Sequence, residues 1–310
     1  MSDRLADSTV LDAIASAAPK AMSGEQLVVV VGPTASGKTE LAIRLCERLG
    51  GEIVSADSVQ IYRDFDVGSG KPTAGEVARA RHHLVSAGDP LDSVDAQRFA
   101  DLAEAAIADV RGRGRIPVVC GGTFLWIKAL VWGLAPAPSA DPAIRARHAA
   151  LAETEGRAAL HRRLGEVDRE SAARLQPNDF VRVSRALEIF ELTGRPQSVW
   201  FAAHGFRAVR HDAVLVGVDR PRPELDLRIE KRAAAWLEGG WIDEVARLLE
   251  RGLGDARAMG SVGYKQVRAH VERALPREAL LTEVVRATRV FARRQRTWLR
   301  DQPVVWVAAE

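Results

Sequence analysis

The feature that most constrains this chain is an eight-residue run, Gly32-Pro33-Thr34-Ala35-Ser36-Gly37-Lys38-Thr39, which satisfies G-x-x-x-x-G-K-[ST] at every fixed position. Its flanks match the pattern. Leu27–Val31 is a β-branched run that reads as a buried strand. After it, Leu41, Ile43, Leu45 and Leu49 recur in a helical stretch closed by Gly50 and Gly51. Strand, glycine-rich loop and helix together aim backbone N–H groups and a helix N-terminus at an anion. Lys38 adds a point charge, and the Thr39 hydroxyl can ligate Mg²⁺. A nucleotide such as ATP is the default occupant, but any diphosphate fits the same loop.

Three further strand-like runs, Glu52–Ser55, Ile116–Cys120 and Ala213–Val218, alternate with helical patterns, and Pro303–Val307 makes a fifth. This alternation predicts an α/β fold: a phosphate-loop-containing parallel sheet with helices on both faces. Between about Ala135 and Gly205 the strand signal vanishes. A proline-rich entry, Pro136 to Pro142, leads into helices expected at Ala143–Gly156, Ala158–Leu164, Arg169–Leu175 and Asn178–Leu192. The reading is an all-helical insertion domain, 135–205, in a core made of 24–134 and 206–310, with residues 1–23 as a flexible leader.

At 310 residues and 47% hydrophobic, the chain can bury a sizeable core. No apolar run approaches the roughly 20 residues of a membrane span. Cys46 and Cys120 sit in apolar elements without metal-site spacing, so they read as buried thiols in a reducing cytoplasm. The net charge is +3, too mild to identify a partner by itself.

In an open parallel sheet the ligand sits at the carboxyl ends of the strands. The second strand run ends in Ser55-Ala56-Asp57-Ser58-Val59-Gln60, which puts a carboxylate there. Asp57 can hold Mg²⁺, take a proton from a nucleophile, or only cap a helix. The third run ends in Gly121-Gly122-Thr123, whose glycines admit a ligand to the backbone and whose hydroxyl can donate to a phosphate oxygen. Thr123 also suits the N-cap of a helix over Phe124–Leu134, and the two roles do not exclude each other.

These segments, with Gly68-Ser69-Gly70-Lys71-Pro72, Asp179…Arg182…Arg185-Ala186-Leu187-Glu188, Val262-Gly263-Tyr264-Lys265 and Thr288-Arg289…Arg294-Gln295…Thr297-Trp298, occur in an order that resembles the tRNA dimethylallyltransferase family over about Leu27 to Trp306. The adenylate isopentenyltransferases share the loop but lack the arginine-rich insertion and the C-terminal Arg-Gln-x-Thr-Trp helix. With no Cys/His finger after the last helix, the chain resembles bacterial members. Phe124 and Trp126 stand where the family has glycine and tyrosine, which predicts less room beside Thr123.

The resemblance implies transfer of a dimethylallyl group from its diphosphate to N6 of the adenine just 3′ of the tRNA anticodon, position 37, by a cytoplasmic and monomeric protein that uses Mg²⁺. Gly32, Pro33, Thr34, Ala35, Ser36, Gly37, Lys38 and Thr39 then hold the diphosphate, and Thr39 the metal. Asp57 is the general base, and Thr123 steadies the bridging oxygen. Asp57, Ser58, Val59, Gln60, Thr123, Arg145, Val181, Arg182, Val183, Ser184, Arg185, Gly263, Tyr264 and Lys265 are the implied contacts to the anticodon stem-loop. Gln60 reads as a reader of the flipped base or its neighbour.

The C-terminal helix supplies an independent hint. Arg289, Arg293, Arg296 and Arg300 step by four, three and four, with Val285, Val290, Phe291 and Trp298 expected to pack on the opposite face. Such a stripe suits a phosphate backbone. Two other readings stay open on the residues alone. One is a small-molecule kinase with ATP in the loop. The other is a nucleotide-gated RNA-binding protein, which would need an apolar-Asp strand end near the loop; Val118-Val119-Cys120-Gly121 ends in glycine instead.

Overall fold

The computed structural model describes residues 8–205 and 209–308. The chain divides into two compact units, Met1–Val131 with His211–Glu310, and Trp132–Arg210.

The larger unit is built on a six-stranded, all-parallel sheet. Its strands are β1 (Leu27–Val31), β2 (Gly51–Ser55), β3 (His82–His83), β4 (Ile116–Gly121), β5 (Ala213–Asp219) and β6 (Val304–Ala308), in the order β3-β2-β4-β1-β5-β6. Central β1 is buried at all five positions, as expected for a strand covered on both faces. Strand β3 escapes sequence reading because it is two histidines with no apolar run. It is held by pairing with Ile53 and Val54.

The helices before the insertion are α1 (Ser8–Ala17), α2 (Pro19–Met22), α3 (Lys38–Leu49), α4 (Ala74–Arg79), α5 (Ala96–Gly112) and α6 (Phe124–Trp132). Alternate strand residues face opposite ways. Val28, Val30, Ile53, Val118 and Val216 form one core with Leu41, Ile43 and Leu45 of α3. Helix α5 packs on β2 and β4, burying Phe99, Ala103, Ile107 and Val110.

The flexible leader expected over 1–23 requires correction from residue 8 onward; residues 1–7 lie outside the described residues. Ile14 of α1, Ala18 at the break between the helices and Ala21 of α2 are buried in the same core as α3. An alanine-rich composition marks good helix formers as readily as a loose tail.

The smaller unit is all helical: α7 (Pro142–Thr154), α8 (Arg157–Val167), α9 (Arg169–Arg174), α10 (Phe180–Thr193) and α11 (Gln197–His204). Leu160, Leu164, Leu175, Val183 and Leu187 form its core. Asp141, Asp168 and Asp179 cap α7, α9 and α10 through their side chains. Helix α11 adds to the four expected helices; Pro196, which cannot continue α10, is the N-cap of α11.

The chain returns to the larger unit through β5, then α12 (Arg222–Glu238), α13 (Trp241–Glu250), α14 (Tyr264–Val271) and α15 (Arg277–Leu299). No helix among the described residues is long and apolar enough to cross a membrane.

Candidate functional site

Strand β1 has β4 on one side and β5 on the other, whereas the next strand in sequence, β2, pairs with β4. The order therefore reverses between β1 and β4, and a crevice opens at their carboxyl ends. The glycine-rich loop leaves β1 there, and Gly121-Gly122-Thr123 leaves β4.

Gly32 adopts a φ of +152°, and a Cβ on it would lie 2.8 Å from Ser36 Oγ. Gly37 is left-handed at φ +103° and caps α3. Ser36 Oγ is buried with no hydrogen-bond partner. A cavity of about 540 Å³ opens beside the loop, and Thr34, Lys38, Thr39, Asp57, Thr123 and Arg232 line it. Burial lowers the pKa of the Lys38 ammonium, Cys120 and Asp57 oppose that shift, and Arg232 adds to it. The Cys120 thiol is pushed up to about 11 by burial, so it is not a nucleophile at neutral pH. Both cysteines are free and buried.

One carboxylate oxygen of Asp57 is occupied by its own turn. Oδ1 accepts from Val59 N at 2.9 Å and Gln60 N at 3.2 Å. Thr123 Oγ1 accepts from Ser58 N at 3.0 Å and donates to Ser58 Oγ at 3.2 Å. A Cβ on Gly121 would lie 2.2 Å from Ala56 O, so glycine is what lets the two turns meet. Both side chains are thus engaged by the 57–60 turn. Asp57 has its second oxygen left for a ligand.

Gln60 differs from expectation. Its Nε2 donates to Ser69 O and Gly70 O at 3.3 and 2.8 Å, and its Oε1 accepts from Ser55 Oγ. The Nε2 end holds the 68–70 loop and the Oε1 end ties the amide to β2, so both ends are engaged within the protein although Gln60 lines the cavity.

The sequence reading missed the residues that brace the loop from the far end of the chain. Arg220 Nε donates to Ser36 O and Arg228 Nε to Ala35 O, each at 3.0 Å. Arg232 donates to Thr34 Oγ1 and lies over the Trp236 ring at 4.6 Å. Burial pulls the Arg232 pKa down to about 10, Asp57 resists, and Arg228 contributes; the group stays cationic at neutral pH. Gln295, 8% exposed, spans the crevice between Thr34 and Gly122. The i, i+4 spacing of Arg228 and Arg232 was visible, but among 44 Lys and Arg it carried no distinguishing mark.

Several other implied contacts are repositioned. Tyr264 is fully buried and donates to Glu244 Oε1 at 2.6 Å. Burial first, then Glu244, raises its pKa. Glu244 also accepts from Asp66 N and Val67 N. Gly263 is buried against the Trp241 ring, which leaves a Cβ only 2.3 Å away. Of that trio only Lys265 is exposed, so Tyr264 and Gly263 shape the protein rather than its surface. The buried residues of α15 are Leu280, Val284, Val285, Ala292, Gln295 and Leu299, which bears out Val285 as packed, whereas Val290, Phe291 and Trp298 are exposed. Arg289 is paired with Asp226 and Glu230, and Arg296 with Asp219. Arg293 and Arg300 remain at the surface. Phe124 turns toward Trp298, and Trp126 is buried in a stack on Phe99.

Within the smaller unit, Val183 and Ser184 are buried, which corrects them as surface contacts. Ser184 instead bonds His148 Nδ1 at 2.9 Å. Val181 and Arg182 are 75% and 63% exposed. Arg145 and Arg185 both bond the buried Glu188. Burial raises the Glu188 pKa, but Arg145, Arg185 and the Asp141 N–H outweigh it and hold the carboxyl below its ordinary range.

Among the described residues no cluster of three or more His, Cys, Asp or Glu is placed to hold a metal. The Thr39 hydroxyl and the Asp57 carboxylate do line one cavity. That sparse oxygen set suits Mg²⁺, which takes one or two protein oxygens and fills the rest from water and phosphate.

Fold and site together define an α/β protein whose glycine-rich loop, with Lys38 and Thr39, shares one cavity with the Asp57 carboxylate. Residues 60–302 match the family model described as IPP transferase. The chain is 72% identical to a tRNA dimethylallyltransferase of Sorangium cellulosum over 91% of its own length and 90% of the relative's. It is 50% identical to one of Anaeromyxobacter dehalogenans, over 91% and 95%. A crystal structure of the tRNA isopentenylpyrophosphate transferase of Bacillus halodurans is similar at a TM-score of 0.68 and 36% identity, covering 92% of this chain and 90% of that one. The chain belongs to the IPP transferase family.

Proposed function

We propose that this protein transfers a dimethylallyl group from dimethylallyl diphosphate to N6 of adenine 37 in tRNA, giving N6-dimethylallyladenosine. The observation that carries this reading is the convergence of Lys38, Thr39 and Arg232 with Asp57 and Thr123 on one cavity. The cations and hydroxyls would serve the leaving group, and the carboxylate, with one oxygen spare, would serve the acceptor.

In the reaction, the C1–O bond of the allylic diphosphate breaks and a C1–N6 bond forms. The N6 proton passes to Asp57 Oδ2, and diphosphate leaves. Such a centre needs no protein nucleophile; it needs an oriented amine and a stabilised leaving group. Lys38, Arg232 and the backbone N–H groups of the loop take up the developing charge, and Thr123 donates to the bridging oxygen. Thr39 would hold Mg²⁺, which would supply further electrostatic stabilisation of the leaving group. The adenine leaves its stack to enter the cavity. Arg182 and the exposed arginines of α15 supply contacts to the RNA backbone.

The test is incubation with Mg²⁺, dimethylallyl diphosphate and unmodified tRNA, followed by nucleoside mass spectrometry and mapping. An adenosine heavier by one dimethylallyl group in the anticodon loop is expected. No new nucleoside, with ATP consumed in a parallel assay, would overturn the reading in favour of a kinase.

A further inference from the structure

Trp236 stands one helical turn after Arg232 on α12, and both line the cavity beside the glycine-rich loop. The i, i+4 spacing puts the two side chains on one face of the helix. The guanidinium carbon of Arg232 lies over the indole, 4.6 Å from the ring centroid, within the roughly 6 Å of a cation–π contact. The same guanidinium donates to Thr34 Oγ1 in the loop.

The ring is itself held. A Cβ on Gly70 would lie 2.8 Å from Cζ2 and 3.1 Å from Cη2 of Trp236, so the edge of the indole rests on bare backbone. Gly70 has a φ of +61°, which glycine adopts without strain. Its carbonyl accepts from Gln60 Nε2 at 2.8 Å, and that bond fixes the backbone against the ring. Trp241, 1% exposed, meets Trp236 nearly at right angles, with 5.6 Å between centroids and 86° between planes.

We propose that Trp236 is a positioning residue: its ring, locked by Gly70 and Trp241, holds the Arg232 guanidinium at the loop before the diphosphate binds. This rests on the transferase reading above. A long side chain loses rotamer freedom when it is fixed, and a cation in a closed site loses its water. The indole face answers both. Its quadrupole attracts the cation, and its fixed plane gives the planar guanidinium a surface to stack on. A guanidinium already aimed at Thr34 needs no reorganisation when charge develops on the leaving group. An aliphatic side chain would fill the space without attracting the charge.

The experiment compares Trp236→Phe, which keeps a π face, with Trp236→Leu and Trp236→Met, which keep apolar bulk without one. Two quantities are read: single-turnover transfer at saturating dimethylallyl diphosphate with Mg²⁺ and unmodified tRNA, and binding of inorganic diphosphate with Mg²⁺. The Leu and Met variants are expected to lose about tenfold in each, the scale of one desolvated cation–π contact, while Trp236→Phe stays within about threefold of wild type. In an Arg232→Gln background the loss from Trp236→Leu is expected to vanish, because no cation is left to hold. Trp236→Met keeps the comparison if the Leu variant does not fold. Equal losses in Phe, Leu and Met variants, or a Leu loss undiminished beside Arg232→Gln, overturn the positioning role and leave Trp236 as cavity wall. If wild type transfers nothing, the transferase reading falls, and the inorganic diphosphate titrations alone decide the role of the ring.

Discussion

Gln295 Oε1 accepts a hydrogen bond from the Thr34 backbone N–H at 2.8 Å, across 261 residues of sequence. The same amide donates through Nε2 to Gly122 O at 3.0 Å. One buried side chain on α15 thus fixes the spacing between the loop that follows β1 and the turn that follows β4. A Cβ on Gly122 would lie 2.4 Å from Gln295 Nε2, so any side chain there would push this amide off its two partners. Gln295→Leu keeps the bulk but strands the Thr34 N–H and the Gly122 carbonyl. It is expected to lower stability by about 1–3 kcal/mol and to raise the KM for the diphosphate. Denaturant unfolding and steady-state kinetics check both.

Asp57→Ala is expected to leave diphosphate binding within a few-fold of wild type while slowing transfer by at least 10²–10⁴-fold, the range for removal of a general base. On the proposed function, the carboxylate serves the amine, whereas Lys38, Arg232 and the loop serve the anion. Single-turnover transfer at saturating diphosphate, beside a direct binding titration, separates the two. Unchanged turnover would remove Asp57 from the chemistry.

Arg182→Ala removes an exposed charge on α10 whose neighbour Asp179 lies 3.4 Å away. The expectation is weaker tRNA binding with a salt dependence shallower by about 0.7–0.9 in log–log slope, the value of one phosphate contact. Diphosphate affinity should not move. Binding titrations at several salt concentrations decide the point, and an unaltered slope would count against the contact.

Glu188 makes stability depend on acid. Its folded pKa lies below the ordinary carboxyl value because Arg145, Arg185 and the Asp141 N–H outweigh burial. Its contribution is therefore complete above the unfolded carboxyl range near about 4.3 and is lost as pH falls through the lower folded value. Glu188→Gln should cost roughly 2–4 kcal/mol at neutral pH, since two arginines lose a buried partner. It should also flatten the fall in stability below about pH 4. Thermal melts of both proteins from pH 3 to 7 show whether the two curves converge.

Local chemistry made much of the molecule legible in advance. The run Leu27–Val31 is apolar at every position because the strand is covered on both faces, and the glycine pattern at 32–39 leaves the chain no choice but a tight anion-facing loop. Asp57 and Gly121-Gly122-Thr123 could be placed at strand ends for the same reason. The sequence by itself determined the strand–loop–helix unit, the parallel sheet and the helical insertion, since each is written in spacing and residue type within a dozen positions.

Tertiary structure decided which side chains complete the site. Arg220, Arg228, Arg232 and Gln295 reach the loop from about 185 to 260 residues away, and nothing local to them tells a bracing arginine from a solvated one. It also decided which implied contacts are surface and which are core. Tyr264 and Ser184 lie inside, committed to Glu244 and His148, and the Gln60 amide holds a neighbouring loop. Periodicity gives the face of a helix, but only the partner elements decide whether that face meets water or protein, because burial is a property of the packed whole.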